Sequence, residues 1–520
     1  MQRQKIQRFT ARKSFWFGLL GLIWLGINTY VITQIPEWNL RHILGFLLGN
    51  LCFFVAAFYL WGLYRLTKHL SALTDARLTH FYKLSALIVG LTVLIVPFFL
   101  VIHVPDSAHN WDFFEIFVNT SLTHGGSFQK LPMTEDQLLY FLRYPNNQFF
   151  GMLYNSLFGP LDTPVKIWVL TAVSAILTSS SVLAGSLLVK KIMGKRHALL
   201  YNAAAFGFVP FYVYGAQFYT DTASLPFVLF GLLFMVYALN AENRLKQLLW
   251  WSLACLIVFI GYNIKPTVAI PMVAVFVFLL VIKRDWKKML LFVPVSLVLF
   301  GAVHVGIKSY LATEPAFSAQ ANNRYNLPLV HWVTMSLSPE NKYGGFNPAV
   351  LAYSESFPDI KSKQAGDVKL LVTNLKKMGV SGLAVQLWRK IMYTWFNGDL
   401  SDFFYTYRHQ NPVVFYLFDW TSFKPSEGNV AGWLLIKAAQ SLYWLAIVPL
   451  MWYEIGLSIW KKRQTEGFIL GLSMIGLTGF LLIWEANSRY LYNFAPIMLA
   501  LAICGLIDFL ARKKKGGKHD

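Results

Sequence analysis

The stretch ILGFLLGNLCFFVAAFYLWGLY, residues 43–64, contains no charged side chain and ends immediately before Arg65. A helix of roughly 20 apolar residues spans the ~30 Å hydrocarbon core of a bilayer. Similar stretches recur along the chain, so the sequence predicts an all-α integral membrane protein with about twelve crossings. We place them at 15–34, 43–64, 84–104, 165–189, 198–216, 223–240, 248–264, 267–282, 289–307, 430–460, 468–485 and 490–510.

The composition of the 520-residue chain agrees with this prediction. Hydrophobic residues make up 56% and charged residues 14%, against about 25% charged in soluble domains. A net charge of +21 would suggest nucleic acid as a partner of a soluble chain. Here the basic residues form short clusters between apolar runs, without interleaved aromatics. We therefore expect the lipid bilayer as the partner, and no nucleic acid.

The distribution of Lys and Arg orients the predicted helices. Seven segments carry 27 of these residues, whereas four short turns on the opposite side carry three, namely Arg41, Lys265 and Arg489. Basic residues of short loops remain in the cytoplasm, so we expect a multi-pass plasma-membrane protein with both termini inside. The basic segments are 1–14, 65–83, 190–197, 241–247, 283–288, 461–467 and 511–520.

Two long segments, 105–164 and 308–429, interrupt the tight loops on the predicted outer side. Long loops in a compact protein often carry function. The chain accordingly divides into four predicted parts. These are a basic tail with an extra hairpin (1–83), a transmembrane core with the first outer loop (84–307), a large outer loop (308–429), and C-terminal helices with a basic tail (430–520).

Local patterns predict helices inside these long segments. Phe113, Phe114 and Phe117 recur at helical spacing, which is typical of an interfacial helix with its aromatic face in lipid. Thr134 and Gln137 have the spacing of a capping box at the start of a second helix. The stretch 367–396 predicts one or two amphipathic helices, with breaks at Gly379 and Gly382.

The three cysteines, Cys52, Cys255 and Cys504, each fall inside an apolar run. Their spacing fits neither a metal site nor a disulfide framework. We expect them to be buried structural thiols.

The first candidate for chemistry is Asp106, directly after the third apolar helix. A carboxylate at the bilayer boundary can meet both a lipid headgroup and an aqueous hydroxyl, as a general base requires. Asp is also a good helix N-cap, and this alternative stays open. His109 and Asp112 follow at helical spacing, so they either share a face with Asp106 or are solvated. A further alternative is that Asp106, His109 and Asp112 together bind a divalent metal, although their spacing does not require it.

The second candidate is the segment 140–148. Arg143 can bind a phosphate bidentately, and Asn146 and Asn147 can hydrogen-bond sugar hydroxyls. The alternative is a Pro-Asn turn that leads into a buried helix.

Three short outer turns carry further ionisable residues. Glu485 and Arg489 are spaced for a structural ion pair, but charge at membrane depth also suggests function, and Arg489 is a candidate for a lipid phosphate. Asp221 and Lys265 lie in the other two turns. If the turns converge, these residues form an outward-facing polar cavity with charges of both signs.

The large outer loop contributes one more candidate. His331 can serve a substrate hydroxyl or phosphate, although a lone His beside Trp332 is also typical of packed structure. The sequence contains no P-loop, no Rossmann glycine pattern and no Gly-x-Ser-x-Gly elbow. An enzyme acting on the outer face would therefore need an activated donor delivered through the lipid.

The ordered set of these motifs resembles the GT-C superfamily, the multispanning glycosyltransferases that take sugars from polyprenyl-phosphate carriers. The nearest likeness is to protein-mannosyltransferase-like and aminoarabinose-transferase-like bacterial proteins, and it covers about 84–510. Unlike that family, the acidic loop follows the third apolar helix rather than the first. The residues that carry the resemblance are Asp106, 143–147, 219–221, 263–266, 331–335 and 485–490.

The resemblance implies a membrane enzyme that transfers a hexosyl or pentosyl group, with inversion, to a hydroxyl of a glycan, glycolipid or protein of the cell envelope. It implies catalytic carboxylates at Asp106 and Asp112, and donor-phosphate binding by Arg489, Arg143 and Lys265. The expected substrate-binding residues are His109, Asn146, Asn147, Tyr219, Asp221, His331, Glu485 and Tyr490. No cofactor is required, although a divalent metal stays open.

Two other functions remain as alternatives. A lipid-linked sugar flippase would suit the helix count and the polar cavity, but its coupling ions would need mid-helix charges, which are nearly absent. An O-antigen-polymerase-like or ligase enzyme would use a pyrophosphate-linked glycan and share the outer loops.

Overall fold

The structure, a computed structural model, describes residues 13–35, 37–100, 112–398, 400–401 and 430–516, and none of these residues forms a β-strand. The helices are α1 Lys13–Gln34, α2 Leu40–His69, α3 Asp75–Ile95, α4 Asp112–Thr123, α5 Leu138–Arg143, α6 Asn146–Phe158, α7 Thr163–Met193, α8 Lys195–Phe206, α9 Pro210–Tyr214, α10 Thr220–Asn240, α11 Arg244–Tyr262, α12 Ile270–Val277, α13 Trp286–Leu311, α14 Ala319–Tyr325, α15 Leu329–Ser336, α16 Pro348–Glu355, α17 Ile360–Trp395, α18 Val430–Trp460, α19 Gly467–Ile483 and α20 Ala495–Gly516.

The predicted all-α membrane fold is confirmed. Within the described ranges, nine helical segments are long and apolar enough to cross a bilayer. Two shorter apolar helices, Gly18–Thr33 and Gly467–Ile483, match the first and eleventh predicted crossings. The nine are His42–Ala72, Asp75–Phe99, Thr163–Met193, Thr220–Asn240, Arg244–Tyr262, Pro266–Lys283, Trp286–Leu311, Leu434–Trp460 and Ser488–Ala511.

One predicted crossing, 198–216, is not a continuous helix. α8 ends at Phe206, with Gly207 as its C-cap, and α9 begins at Pro210. Proline has no N–H to donate and its ring clashes with the preceding turn, so it starts a helix readily but interrupts one. A side chain at Gly207 would collide with the ring of Tyr59, which requires glycine at the break.

The centre of the bundle is α10. It packs against α7, α11, α12 and the 3₁₀ turn Ser488–Phe494. Apolar residues occur on all its faces, as expected for a helix surrounded by protein. Its first turn carries Thr220 and Asp221, both buried. The helix therefore places a carboxylate inside the protein, at the end where the candidate site lies.

The N-terminal hairpin packs against the C-terminal part of the chain. α1 and α2 both contact α18, which also packs along α20. All three cysteines are free; Cys255 and Cys504 are buried as expected, whereas Cys52 is only partly buried.

The long segments contain the helices α4–α6 and α14–α17, with three differences from the predictions. Phe113, Phe114 and Phe117 are at most 4% exposed, because α4 packs against α6, so the prediction of a lipid-facing aromatic side was wrong. The predicted capping box was also wrong: Thr134 donates to the side chain of Gln137 (3.1 Å), and α5 begins only at Leu138.

The third difference concerns α17. The predicted break at Gly379 is confirmed by its non-helical backbone, with φ of 60°. Gly adopts this left-handed region at little steric cost. A second break at Gly382 does not occur, since the helix continues through that residue.

Candidate active site

A cavity of about 930 Å³ lies where the ends of several crossings meet the two long segments. It falls within the usual size of small-molecule sites. Its wall includes residues of all three charged turns named from the sequence, so the turns converge as expected.

Four charged residues form one cluster at the side of this cavity where the crossings end: Asp112, Asp221, Lys265 and Arg489. The ammonium of Lys265 forms an ion pair with Asp221 Oδ1. Arg489 Nε lies 3.4 Å from Asp221 Oδ2, and Arg489 Nη2 lies 3.3 Å from Asp112 Oδ2. We call these four residues the charged cluster.

Each member of the cluster is positioned by its local structure. Arg489 donates its backbone N–H to the side chain of Asn487 (3.0 Å), which caps the turn. Lys265 lies in the short connection after α11 ends at Tyr262, and Pro266 after it begins a new 3₁₀ turn. Asp221 lies in the first turn of α10, where the helix dipole favours a negative charge.

The turn that carries Arg489 is also held from the large loop. Lys390 of α17 donates to the carbonyl oxygens of Leu482 (2.6 Å) and Trp484 (2.8 Å) at the end of α19. These carbonyls have no partner within their own helix. Lys390 therefore fixes the start of the turn relative to the loop.

Within the cluster, Asp221 and the two cations form an inner group with a formal charge of +1. Asp221 is 1% exposed, and burying a charge without a partner is costly. One carboxylate cannot neutralise two cations, so the inner group retains positive charge. The ring of Tyr490 lies 4.9 Å from Lys265 and 5.7 Å from Arg489, within the range of cation–π attraction. Burial lowers the pKa of Lys265, and the Asp221 carboxylate opposes this shift.

Asp112 is the outer member of the cluster. Its side chain is 38% exposed, and Tyr140 donates to Asp112 Oδ1 at 3.2 Å. Asn147 in turn donates to the Tyr140 oxygen at 2.6 Å. Asp112 is thus oriented by one hydroxyl but remains accessible from the cavity.

Arg143 lies elsewhere on the same wall and has a different set of partners. It forms a two-point ion pair with Glu355 of α16, in which Nη2 to Oε2 measures 3.0 Å, and a second pair with Glu135 at 3.1 Å. The three side chains sum to a formal charge of −1.

Two further carboxyl groups of the cavity have raised pKa values. Burial, then the carboxylates of Asp136 and Asp112, raise the pKa of Glu115 to about 8. Burial and next Asp112 raise the pKa of Glu485 to about 7. Tyr490 donates to Glu485 at 3.1 Å. Arg489 hydrogen-bonds Asp112, whereas Glu485 accepts from Tyr490. The spacing of Glu485 and Arg489 suggested an ion pair between them, but this pair is not their principal contact.

The structure brings most of the predicted site residues to one cavity, while their roles stay predictions. Asp106 and His109 lie outside the described residues, and Asp221 lies behind the wall, in contact with Lys265 and Arg489. In the part of the chain that the structure describes, no three His, Cys, Asp or Glu residues are placed to hold a metal ion. The predicted site residues that line the cavity are Asp112, Arg143, Asn146, Asn147, Tyr219, Lys265, His331, Glu485, Arg489 and Tyr490.

Several residues of the site were not found from the sequence. Glu115 and Tyr140 lie inside the segments 105–164 and 140–148 discussed above, but nothing in their spacing indicated a functional role. Ser354, Glu355 and Asp367 are ordinary polar residues of the large loop. Only the packing of α15, α16 and α17 brings them next to His331 and Arg143, which line the cavity.

Comparison with known proteins gives one family and two solved structures. A family model described as "conserved hypothetical integral membrane protein" matches residues 130–507. No curated protein matches the chain. The archaeal oligosaccharyltransferase AglB from Archaeoglobus fulgidus, in complex with an inhibitory peptide and a dolichol-phosphate, is 14% identical with a TM-score of 0.41, covering 84% of this chain and 51% of AglB.

The second structure is ArnT from Cupriavidus metallidurans bound to undecaprenyl phosphate. It is 12% identical with a TM-score of 0.33, covering 84% of this chain and 78% of ArnT. The chain thus spans about half the length of AglB and about three quarters of ArnT.

Proposed function

The chain belongs to the family described as "conserved hypothetical integral membrane protein", and we propose that it is a membrane glycosyltransferase. It moves a sugar from a polyprenyl-monophosphate carrier to an acceptor hydroxyl on the outer face of the membrane. The site, rather than the family, supports this proposal.

The observation that carries the proposal is the inner group of the charged cluster. Lys265 and Arg489 come from the ends of different crossings and share the one carboxylate of Asp221. A glycosyl phosphodiester carries one negative charge, which matches the formal +1 of this group. The N-terminus of α10 adds further positive potential, since Thr220 of its first turn lines the cavity.

The wall beside the cluster supports a lipid-linked donor in particular. Phe149, Tyr262, Leu311 and Phe480 line the same cavity as the two cations. An isoprenoid chain gains free energy wherever such apolar surface leaves water. A soluble sugar phosphate would make no use of this part of the cavity.

The proposed reaction is a single displacement at the anomeric carbon. The acceptor oxygen forms a bond to that carbon, and the carbon–oxygen bond to the phosphate breaks, with its electron pair passing to the phosphate oxygen. Arg489 and Lys265 stabilise the charge that develops there. A carboxylate takes the acceptor proton; Asp106 is the residue that the sequence nominates for this step. The configuration at the anomeric carbon is inverted.

Asp112 has a defined place in this scheme. It hydrogen-bonds Arg489 Nη2, an atom that a phosphate oxygen would also use. Donor binding would therefore compete with Asp112 for Arg489 and leave its carboxylate available to the acceptor. Asp112 is accordingly the second candidate for the base.

Turnover by the purified full-length protein in lipid nanodiscs tests the proposal. A polyprenyl-monophosphate sugar should be consumed with release of polyprenyl phosphate, whereas a pyrophosphate-linked oligosaccharide should not. Consumption of the pyrophosphate donor alone would identify the ligase class instead. A flippase would consume neither donor but move the lipid between leaflets. The control is Arg389→Ala, which removes an exposed arginine of α17 and should retain turnover.

A further inference from the structure

Three buried polar side chains of the large loop form a linear relay that ends at the cavity. His331 Nδ1 lies 2.8 Å from Ser354 Oγ, and Ser354 Oγ lies 2.6 Å from Asp367 Oδ1. The three residues come from α15, α16 and α17, and each is at most 2% exposed. Their meeting is therefore a product of how these three helices pack.

The hydrogen-bonding capacity of Ser354 determines which nitrogen of His331 carries the proton. A hydroxyl has one proton to donate, and a carboxylate at 2.6 Å is a stronger acceptor than a neutral carbonyl or imidazole. Ser354 therefore donates to Asp367, and its oxygen accepts from His331. The proton of the imidazole must then lie on Nδ1, which leaves Nε2 as an acceptor.

The charge states agree with this assignment. Burial, and next the ammonium of Lys363, lower the pKa of His331 to about 4, so the ring is neutral at physiological pH. Burial raises the pKa of Asp367 to about 6, while Ser354 and Lys363 oppose the shift. Asp367 is therefore still ionised at neutral pH, as the relay requires. The neighbouring cation Lys363 donates to the carbonyl of Arg324 at 2.7 Å.

With Nδ1 engaged by Ser354, Nε2 is the ring nitrogen that remains for a ligand in the cavity. His331 belongs to the cavity wall, beside Trp332 and Trp484. Among the described residues, none hydrogen-bonds Nε2, and Nε2 is not one of the fully buried polar atoms that lack a partner. Nε2 is therefore the nitrogen with which His331, a residue of the cavity wall, would accept a hydrogen bond.

We propose that Ser354 and Asp367 hold His331 as its Nδ1–H tautomer so that Nε2 accepts a hydrogen bond from a carbohydrate hydroxyl in the cavity. This inference rests on the proposed function for the identity of the ligand but not for the relay itself. His331 is the residue that touches substrate, and Ser354 and Asp367 are positioning residues. The hydroxyl belongs either to the glycosyl group of the donor or to the acceptor.

The relay is tested without substrate by ¹⁵N NMR of histidine-labelled full-length protein in nanodiscs, with the His331 signals identified by their loss in His331→Gln. We expect the signature of a protonated Nδ1 and an unprotonated Nε2. Ser354→Ala should give a mixture of tautomers, and Ser354→Thr, which keeps the hydroxyl, should restore the wild-type signature. A protonated Nε2 in the wild type overturns the proposal, whatever the activity.

The ligand is tested with single-deoxy analogues of the polyprenyl-monophosphate donor sugar and of the acceptor. One analogue should lower wild-type kcat/KM about tenfold, the effect of one neutral hydrogen bond, and the same analogue should cause no further loss in His331→Gln. A donor analogue that behaves this way assigns the hydroxyl to the donor, and an acceptor analogue assigns it to the acceptor. Equal losses in both enzymes for every analogue overturn the proposal.

Failure of the proposed function gives a different result. The protein would then turn over no donor. Ligand binding at His331 would instead be tested by the NMR response to polyprenyl-monophosphate mannose and glucose as probes. A shift of the Nε2 signal with either probe supports the carbohydrate assignment even without turnover. An unmoved signal with both probes overturns it.

Discussion

Arg143 and Arg489 line the same cavity and are both 6% exposed, but their partners differ. Arg143 is bound by Glu355 and Glu135, so its group has a formal charge of −1. Arg489 also pairs with the outer Asp112, but it shares the buried Asp221 with a second cation, Lys265, and the inner group of these three residues has a formal charge of +1. The sequence named both arginines as phosphate ligands and favoured Arg489 because of its position at membrane depth.

The difference shows that the charge of the partners, rather than the arginine itself, determines which site attracts an anion. Arg143 is a single cation between two carboxylates, and an incoming phosphate would have to displace a charge that holds α5 to α16. Arg489 and Lys265 together have more positive charge than their buried partner supplies. We therefore expect donor binding at Arg489 and structural support at Arg143.

The largest effect should follow from Arg489→Ala. Removing a group that stabilises charge in the transition state typically costs about 10²–10³-fold in kcat, and donor affinity should fall as well. Arg489→Lys should lose less, because it keeps the charge but not the planar fork. Steady-state transfer assays measure both variants, with Arg389→Ala as control. Wild-type transfer by Arg489→Ala would remove this residue from the site.

Lys265→Met should have the next largest effect. It removes one charged hydrogen-bond donor, an effect of roughly 10–10²-fold, and leaves Asp221 paired with Arg489 alone, so that the inner group becomes neutral. The loss should appear mainly in donor affinity, measured by equilibrium binding of a polyprenyl-monophosphate sugar. Lys308→Met is the matched control, since Lys308 is an exposed lysine at the end of α13. Equal losses in the two variants would contradict a specific role for Lys265.

Arg143→Ala should act on stability instead of on donor binding. Removing one partner of a buried charged pair leaves Glu355 without its cation, which costs about 1–3 kcal/mol. Thermal unfolding in detergent should show a lower midpoint. The donor affinity of the folded protein should change less than about threefold, which is below the tenfold change that about 1.4 kcal/mol of binding free energy gives. A loss of donor affinity as large as that of Arg489→Ala would abolish the distinction between the two arginines.

The smallest effect concerns pH and the Glu485 carboxyl beside the cluster. Its pKa is raised to about 7, so the group is largely neutral below pH 7 and becomes negative above it. Donor affinity should therefore fall about threefold to tenfold between pH 6 and pH 8.5. The upper limit corresponds to about 1.4 kcal/mol of interaction between the Glu485 carboxylate and the bound phosphate, which is equivalent to a shift of one pKa unit. Glu485→Gln should flatten this dependence. A wild-type donor affinity that does not change with pH would show that the charge of Glu485 does not act on the bound phosphate.

The same raised pKa affects stability. The contribution of Glu485 to folding is fully present below its ordinary value of 4.5 and is lost as pH rises through about 7.

The helices could be predicted from the sequence, because apolar runs of bilayer length are a local property of the chain. The break between α8 and α9 was missed even though Gly207 and Pro210 mark it, since the surrounding run is apolar enough to cross as one helix. The faces of α4 were assigned incorrectly for a related reason: Phe113 suits protein and lipid surroundings equally well, and only the contact with α6 decides between them.

The candidate site was predicted where a charge stands alone in a short turn. Asp221, Lys265 and Arg489 each interrupt an apolar context, so their convergence could be anticipated. Ser354, Glu355 and Asp367 could not be found, because polar residues are common in the large loop and their contacts depend on tertiary packing. The same limit kept Arg143 among the phosphate-ligand candidates beside Arg489 until the positions of its carboxylate partners were known.

An experimental structure of the full-length protein with bound undecaprenyl phosphate, determined by cryo-electron microscopy in nanodiscs, would show which arginine binds the phosphate. We predict phosphate density within hydrogen-bonding distance of Arg489 and Lys265, with Asp221 still between them and Arg143 still paired with Glu355. Phosphate density at Arg143, with the group of Asp221, Lys265 and Arg489 unchanged and without contact to the ligand, would contradict the account.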